Sequence, residues 1–323
     1  TDMTTVFMLF AIIIPLLAVG VGIYILIEVV ACRIAHRKIR IRAQHIVLGI
    51  VFAIFSLYAL FMLFSFFFLV TTSLKTSLFY EKNLGQGFML PDKLDFSNYL
   101  FAFKEFSFNE TGFFGMIGNS LWYTVISIAA PLFMNTCVGY AVSKYKFKAR
   151  GIYYGVIVFC MTIPIIGTTG ATMQLYSDLG LYDKGPLLHF ITHLGAGGMS
   201  FLVMYAYFKN ISWEYAEAAL MDGAGHFTVF FKIMIPMAVP AMGALALLSG
   251  IGAWNSYMDV LMFNPSWPTL ASGLYGISRT LPRYGNTPAY YAALVIAFIP
   301  ILVIFCIFSD KIMKNFSVGG LKE

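Results

Sequence analysis

His189 and His193 stand four residues apart, a spacing that puts two imidazoles on one face of a helix, where they can ligate a transition metal. No cysteine or acid stands near them to complete the set. The plainer reading is two polar residues at the outer end of an apolar segment, and no metal site is expected. Cys32, Cys137, Cys160 and Cys306 all lie in or beside apolar runs, with no CxxC pair, and read as small buried side chains. Nucleotide chemistry is not expected either. The chain contains no G-x-x-x-x-G-K-S/T loop, and the cluster Gly195-Ala196-Gly197-Gly198 lacks the Lys and hydroxyl that bind phosphate and Mg²⁺. Asp259 is different. It follows Trp254-Asn255-Ser256-Tyr257 inside an apolar run, where a charge costs about 2.5–3.5 kcal/mol on insertion scales, so it reads as functional unless it is simply hydrated near an interface. The last conspicuous stretch is EYAEAALMDGAGHFTVFFKIMIP, residues 214–236, a polar interval between two strongly apolar segments.

These residues must be positioned by membrane helices. The 323-residue chain is 59% hydrophobic and 11% charged, against roughly 25% charged in a soluble domain. The net charge of +6 is confined to short loops and is no nucleic-acid signal. About 20 apolar residues cross a bilayer, and seven such runs are expected, at about 4–31, 46–73, 117–142, 152–175, 187–208, 238–262 and 289–309. Alternating strands are absent, so the fold class is an all-α polytopic membrane protein rather than a β-barrel. The first run is too long for a signal peptide, lacks a basic lead and is followed by Arg33, Arg37, Lys38, Arg40 and Arg42, so it is expected to be a span. Placing that cluster, Lys144 to Arg150, the 209–236 interval and the C-terminal tail in the cytoplasm puts 14 of the 21 basic residues inside. The expected orientation is therefore N-terminus out and C-terminus in. Glu28, near the inner end of the first run, can pair with the basic loop. The segment TIPIIGTTGATMQ around Pro164 is the most interrupted and is a candidate hinge or pore-lining stretch.

In that frame the 212–236 interval is cytoplasmic. Ser212 is expected to cap a helix with Glu214 in its first turn. Ala216, Ala218, Ala219, Leu220 and Met221 favour helix, and Gly223 suits a left-handed cap. A second short helix, about 226–235, is expected to end at Pro236. Helical spacing groups Trp213, Ala216, Glu217 and Leu220 on one side, a narrow surface that a partner can approach closely. Residues 212–222 hold three acids and no base, which argues for a protein partner over an anionic membrane surface. His226 reads as a solvated loop residue.

The pattern Glu217-Ala218-Ala219, three residues, Gly223, nine residues, Ile233, one residue, Ile235-Pro236 resembles the "EAA" loop of binding-protein-dependent ABC importer permeases. The family usually has Leu where Ile235 stands. Asp222-Gly223-Ala224 is similar to its carbohydrate branch. So are Ser73-Leu74-Lys75, Asn98-Tyr99, Gly118-Asn119-Ser120, Met161-Thr162-Ile163-Pro164, Ala253-Trp254-Asn255 and the closing Gly319-Gly320-Leu321-Lys322. The likeness spans about residues 46–323 and points to the smaller membrane subunit of maltose-type importers. Residues 1–45 would then be an additional helix and basic loop. The resemblance implies that Glu217, Ala218, Ala219, Asp222, Gly223, Ile233 and Pro236 couple the chain to a separate ATPase, which alone binds ATP and Mg²⁺. It also implies a second, homologous permease, two ATPase subunits and an extracellular solute-binding protein as partners. The loop between 264 and 288, with Trp267, Tyr275 and Tyr284, would touch that binding protein, and the tail from 311 to 323 would run along the ATPase. No cofactor is expected in this chain.

A sugar suits a path of aromatic rings and neutral hydrogen-bonding groups. Gln174, Tyr176, Trp254, Asn255 and Tyr257 are the candidates, each equally explicable by helix packing. Asp259 departs from the apolar or aromatic residue that the family usually carries there. It would contact substrate or pair with a basic group of the second permease. The alternative is a secondary transporter or channel, which would show inverted repeats and several intramembrane titratable residues; the chain shows no clear repeat and only Asp259 at depth. A membrane scaffold would not need the loop pattern followed by Pro.

Overall fold

The structure, a computed structural model, describes residues 43–83, 89–163 and 167–317, together with the isolated positions Gly20, Gly22 and Tyr24. The rest of the first apolar run, Glu28, the basic cluster 33–42, Pro164 and the 318–323 tail lie outside the described residues.

Among the described residues the regular structure is helical apart from one hairpin of two two-residue strands. In order the elements are α1 (Ala43–Ser73), α2 (Ser77–Lys82), α3 (Ser97–Glu105), β1 (Ser107–Phe108), β2 (Thr111–Gly112), α4 (Phe113–Lys144), α5 (Arg150–Thr162) and α6 (Thr169–Asp178). There follow α7 (Pro186–His193), α8 (Gly198–Asn210), α9 (Glu214–Met221), α10 (His226–Val229), a π-helical turn (Phe230–Met234), α11 (Ile235–Asn255), α12 (Met258–Phe263), α13 (Leu270–Tyr284) and α14 (Thr287–Ser317). Among the described residues, four helical stretches are long and apolar enough to cross a membrane: Val47–Ser73, Phe113–Lys144, His226–Asn255 and Thr287–Cys306. The pair α7 and α8 qualifies as a fifth, bent by 47°.

Two expected spans are thus interrupted. The 152–175 run is two helices, α5 and α6. The 187–208 run breaks at 194–197, in the glycine cluster. That break is held from outside: Asn135 Oδ1 accepts the Gly197 N–H at 2.8 Å, while Asn135 Nδ2 donates to Pro131 O at 2.8 Å. Asn135 is buried, so its amide ties α4 to the break with both its donor and its acceptor in use. The 238–262 run ends earlier than expected, because the chain turns extended at Ser256 and restarts as α12.

α4 is the central post. Gly139 sits where α4 meets α8; a Cβ there would lie 3.0 Å from Met204 Cβ and 3.1 Å from the Tyr205 nitrogen. Small residues at such crossings let helix backbones approach in lipid, where dispersion rather than the hydrophobic effect holds helices together. Two apolar clusters occupy opposite ends of α4. One joins Phe106, Phe113, Met116, Trp254, Leu274 and Ile277. The other joins Tyr140, Met204, Phe208, Ala216, Phe230 and Met234. Met116 and Tyr140 lie about 36 Å apart along the helix at 1.5 Å per residue.

α1 carries exposed Phe, Leu and Ile side chains over most of its length, a surface for lipid or another membrane helix rather than water. The chain before it reaches this helix at Gly20, where a Cβ would fall 2.6 Å from Ala53 Cβ, and at Tyr24, whose ring is 5.7 Å from Phe52. Gly22 has nothing comparably near. At its other end α1 is tied off by Asn98, which is buried. Its Nδ2 donates to Ser73 O at 2.9 Å and Lys75 O at 2.8 Å, and the Tyr99 hydroxyl lies 2.8 Å from Ser73 Oγ. Lys75 is itself buried, its Nζ 5.9 Å from the Phe68 ring centre, and burial holds its pKa below the ordinary lysine value. The interval 264–288 is mostly helix. The amphipathic α13 starts from a reciprocal cap between Thr269 and Ser272 and ends at Gly285, φ +62°.

Candidate functional site

The 212–236 interval folds as helix, turn and helix. Ser212 Oγ accepts the Glu214 N–H at 3.3 Å, although α9 begins one residue later than expected, with Trp213 at its cap. The end of α9 is a complete Schellman turn. The Ala224 N–H reaches Ala219 O at 2.9 Å and the Gly223 N–H reaches Leu220 O at 3.0 Å. Gly223 has φ +84°, where a Cβ meets its own backbone. No neighbour crowds it, so its identity is demanded by conformation and not by space.

The bundle takes one face of α9. Ala216 is fully buried, with Trp213, Ala219, Leu220 and Ala224 packed around Tyr140, Phe208, Val229 and Met234. Glu217 does not share that face, as the helical spacing had grouped it; it stands at the rim and is exposed. The outward surface carries Glu214, Tyr215, Glu217, Ala218 and Asp222, and beside them Met221 is 87% and Phe227 82% exposed. Two large apolar side chains so open beside the turn leave an apolar surface of the kind that interaction sites carry.

The second half does not end at Pro236. Helix runs without a break from His226 to Asn255. The Phe230–Met234 turn is π-helical, and the Ile235 N–H reaches back to Phe230 O. A proline inside an α-helix lacks a donor and collides with the carbonyl four residues earlier; the wider turn relieves both. Ile233 is half-buried and Pro236 exposed within this stretch. The interval is also fastened to the end of α4. Lys144 Nζ donates to Ile211 O, which neutralises carbonyl charge where α8 stops. The Tyr145 hydroxyl lies 3.1 Å from His226 Nδ1, so His226 is exposed but partnered, and the Tyr145 ring meets Trp213 edge-on at 5.8 Å.

The six residues suited to a polar path fall into separate places. Trp254 and Asn255 line a cavity of about 330 Å³ with Tyr275, Ser278 and Tyr290. Tyr257 adjoins it, stacked on Tyr275 at 4.7 Å. The Trp254 indole N–H is committed to Ala297 O at 3.0 Å and Asn255 Nδ2 to Ile251 O at 2.9 Å. Asn255 Oδ1 is left as the acceptor of that amide. Tyr176 and Asp259 line a second cavity of about 220 Å³ with Tyr123, His189, His193 and Phe263. Gln174 lines neither; its amide donates to Asp178 at 2.8 Å. Asp259 does not lie within a long span. It stands exposed in the first turn of the short α12.

His189, read as a polar residue at the outer end of an apolar segment, is buried, its ring 3.9 Å from Tyr123 and its Nε2 2.7 Å from Ser127 Oγ. Its partners stand on α4, some sixty residues away in sequence, where no local pattern points to them. Among the described residues no group of three or more His, Cys, Asp or Glu converges as a metal site.

A family described as "Binding-protein-dependent transport system inner membrane component" matches residues 127–317. The arabinooligosaccharides transport system permease protein AraQ of Bacillus subtilis (strain 168) is 30% identical over 235 residues, which cover 72% of this chain and 80% of that protein. The diacetylchitobiose uptake system permease protein NgcG of Streptomyces coelicolor is 26% identical over 74% of this chain and 78% of its own. Among solved structures, a bacterial ABC transporter involved in the import of the acidic polysaccharide alginate has a chain that superposes with a TM-score of 0.68. It covers 84% of this chain and 99% of that one at 24% identity, a likeness of fold.

Proposed function

Because the chain belongs to the binding-protein-dependent transport system inner membrane components, we propose that it is the permease subunit of an ATP-driven importer and forms half of the membrane path for a sugar or oligosaccharide. The relatives named for arabino-oligosaccharides and diacetylchitobiose support the substrate class. A second, homologous permease supplies the other half of the path, and two separate ATPase subunits bind ATP and Mg²⁺. A solute-binding protein delivers the cargo. Residues 46–323 are the permease core and 1–45 an added helix and loop, with the N-terminus outside and the C-terminus in the cytoplasm. The alternative, a transporter or channel that works without an ATPase, leaves the open apolar rim around Met221 and Phe227 unexplained.

The observation that carries the proposal is the outward surface of α9. Glu217 at its rim offers one charge, Ala218 permits close approach, and Met221 and Phe227 supply apolar contact. Asp222 and Gly223 shape the turn, while Ile233 and Pro236 join it to the membrane helix. The Glu217 carboxylate is exposed and structurally uncommitted, so Glu217→Lys is expected to leave the protein folded while reducing ATPase co-purification and uptake about tenfold or more, as reversal of a contact charge does. Wild-type association and uptake in that variant would refute the coupling role.

At the opposite end, the hairpin turn Asn109–Glu110 is fixed to the 264–268 segment through Asn109 Nδ2 and Pro265 O at 2.9 Å. We assign this end to the binding protein. A cysteine at Glu110 should cross-link to the docked binding protein in the assembled complex, and absence of cross-linking during turnover would count against that docking side.

A further inference from the structure

The cavity between α4, α6, α7 and α12 has a chemical bias that points to a ligand class. Its polar wall is rich in acceptors. The Asp259 carboxylate stands at one side, with Ser256 Oγ 3.4 Å from its Oδ2. His193 Nδ1 is 2.8 Å from His189 O; a carbonyl can only accept, so Nδ1 carries the proton and, in the neutral ring, Nε2 is left as an acceptor. Tyr123 and Tyr176 line the same cavity and add phenol hydroxyls. Among the described residues that line the cavity, none is a lysine or arginine. Apolar surface is present too, since Tyr176 and Phe263 meet edge-on at 5.3 Å. At about 220 Å³ the space falls below the 300 Å³ or so at which drug-sized pockets begin, and one sugar ring is the natural scale of occupant.

We propose that this cavity is a one-ring subsite for sugars that carry hydroxyl or ammonium groups and that Asp259 excludes sugars bearing a carboxylate. The proposal rests on the reading that a sugar passes through this chain. Sugar hydroxyls and ammonium groups donate to Asp259 and to His193, while the ring's C–H face lies on Tyr176 and Phe263. A carboxylate in the same place meets a like charge with no lysine or arginine lining the cavity to offset it, and repulsion of that kind is how sites discriminate.

The assembled transporter, without binding protein, should be titrated with glucose, glucosamine and glucuronate while tryptophan fluorescence is followed. Trp122, 6.0 Å from the His189 ring, is the reporter. Glucosamine is expected to bind roughly threefold tighter than glucose, and glucuronate about tenfold weaker. Asp259→Asn should bring the three within roughly threefold of one another, and Asp259→Glu should keep the order. Four results would overturn the proposal: glucuronate binding as tightly as glucose, an unchanged order in Asp259→Asn, loss of the order in Asp259→Glu, or no saturable response to any of the three sugars. Co-purification of the ATPase on the same preparations is scored separately; its failure would sink the importer reading whatever the order of the sugars.

Discussion

Gly223→Pro should release the ATPase subunits and abolish uptake while the membrane helices stay assembled. Proline fixes φ near −65°, and the native value is +84°. Proline also removes the N–H that reaches Leu220 O. The left-handed turn cannot form, and α9 loses the cap that sets its angle to α10. The local cost is about 3 kcal/mol or more, enough to displace the whole Glu217 surface. Gly223→Ala isolates the conformational part. Open space surrounds the site, so only backbone strain of about 1–2 kcal/mol opposes it, and partial coupling should remain. Co-purified ATPase per transporter and the initial uptake rate are the readouts. A proline variant that couples as well as wild type would remove the turn from the mechanism.

Asn98→Leu should cause the largest loss of stability among single substitutions outside the long helices. The side chain is nearly isosteric and the site is buried, so the change is chiefly chemical. Two carbonyls, those of Ser73 and Lys75, lose their donor. Each orphaned buried acceptor costs about 1–3 kcal/mol, so the pair amounts to several kcal/mol. The expected outcome is a clear fall in the thermal unfolding temperature in detergent and release of the end of α1 from α3, read as faster proteolysis between residues 74 and 97. Asn98→Asp offers a comparison, since a carboxylate cannot donate to either carbonyl and should be at least as damaging. A leucine variant with unchanged unfolding temperature would show that water replaces the amide.

Asn98 also illustrates what is legible in sequence. Ser73-Leu74-Lys75 and Asn98-Tyr99 stand out as separate short patterns, but only folding shows that they are one hydrogen-bonded knot. Hydropathy locates α1, α4 and α14 well because each is one unbroken apolar stretch that membrane burial makes helical. It passes over the breaks at 194–197 and 256–257, since an apolar window averages across a turn. At the first, the glycine cluster was informative for what it permits, a bend satisfied by Asn135, rather than for the phosphate loop it lacks. The second moves Asp259 from inside a long helix to a short exposed one. Gly223 was readable because a left-handed cap is a local requirement. The split of Trp254 and Asn255 from Tyr176 and Asp259 into two cavities was not, because it depends on how α6, α7, α12 and α13 pack around α4. The π-turn before Pro236 lies between these cases. A proline ahead of an apolar run normally marks a helix start, and nothing in the neighbouring residues declares that the preceding turn widens to admit it.

That uninterrupted helix from His226 to Asn255 also offers the proposed coupling a lever. Thirty residues at 1.5 Å each give an arm of about 45 Å, with the Gly223 turn at one end and Asn255, on the wall of the larger cavity, at the other. A tilt of about 5° pivoted near either end sweeps the far end through about 4 Å, comparable to the width of a sugar ring. Had the helix stopped at Pro236, the turn would have been hinged to the bundle and its motion absorbed within one flexible joint. Under the proposed coupling, a movement of the turn would be carried along this helix, through the wide turn and past Pro240, to the wall of that cavity.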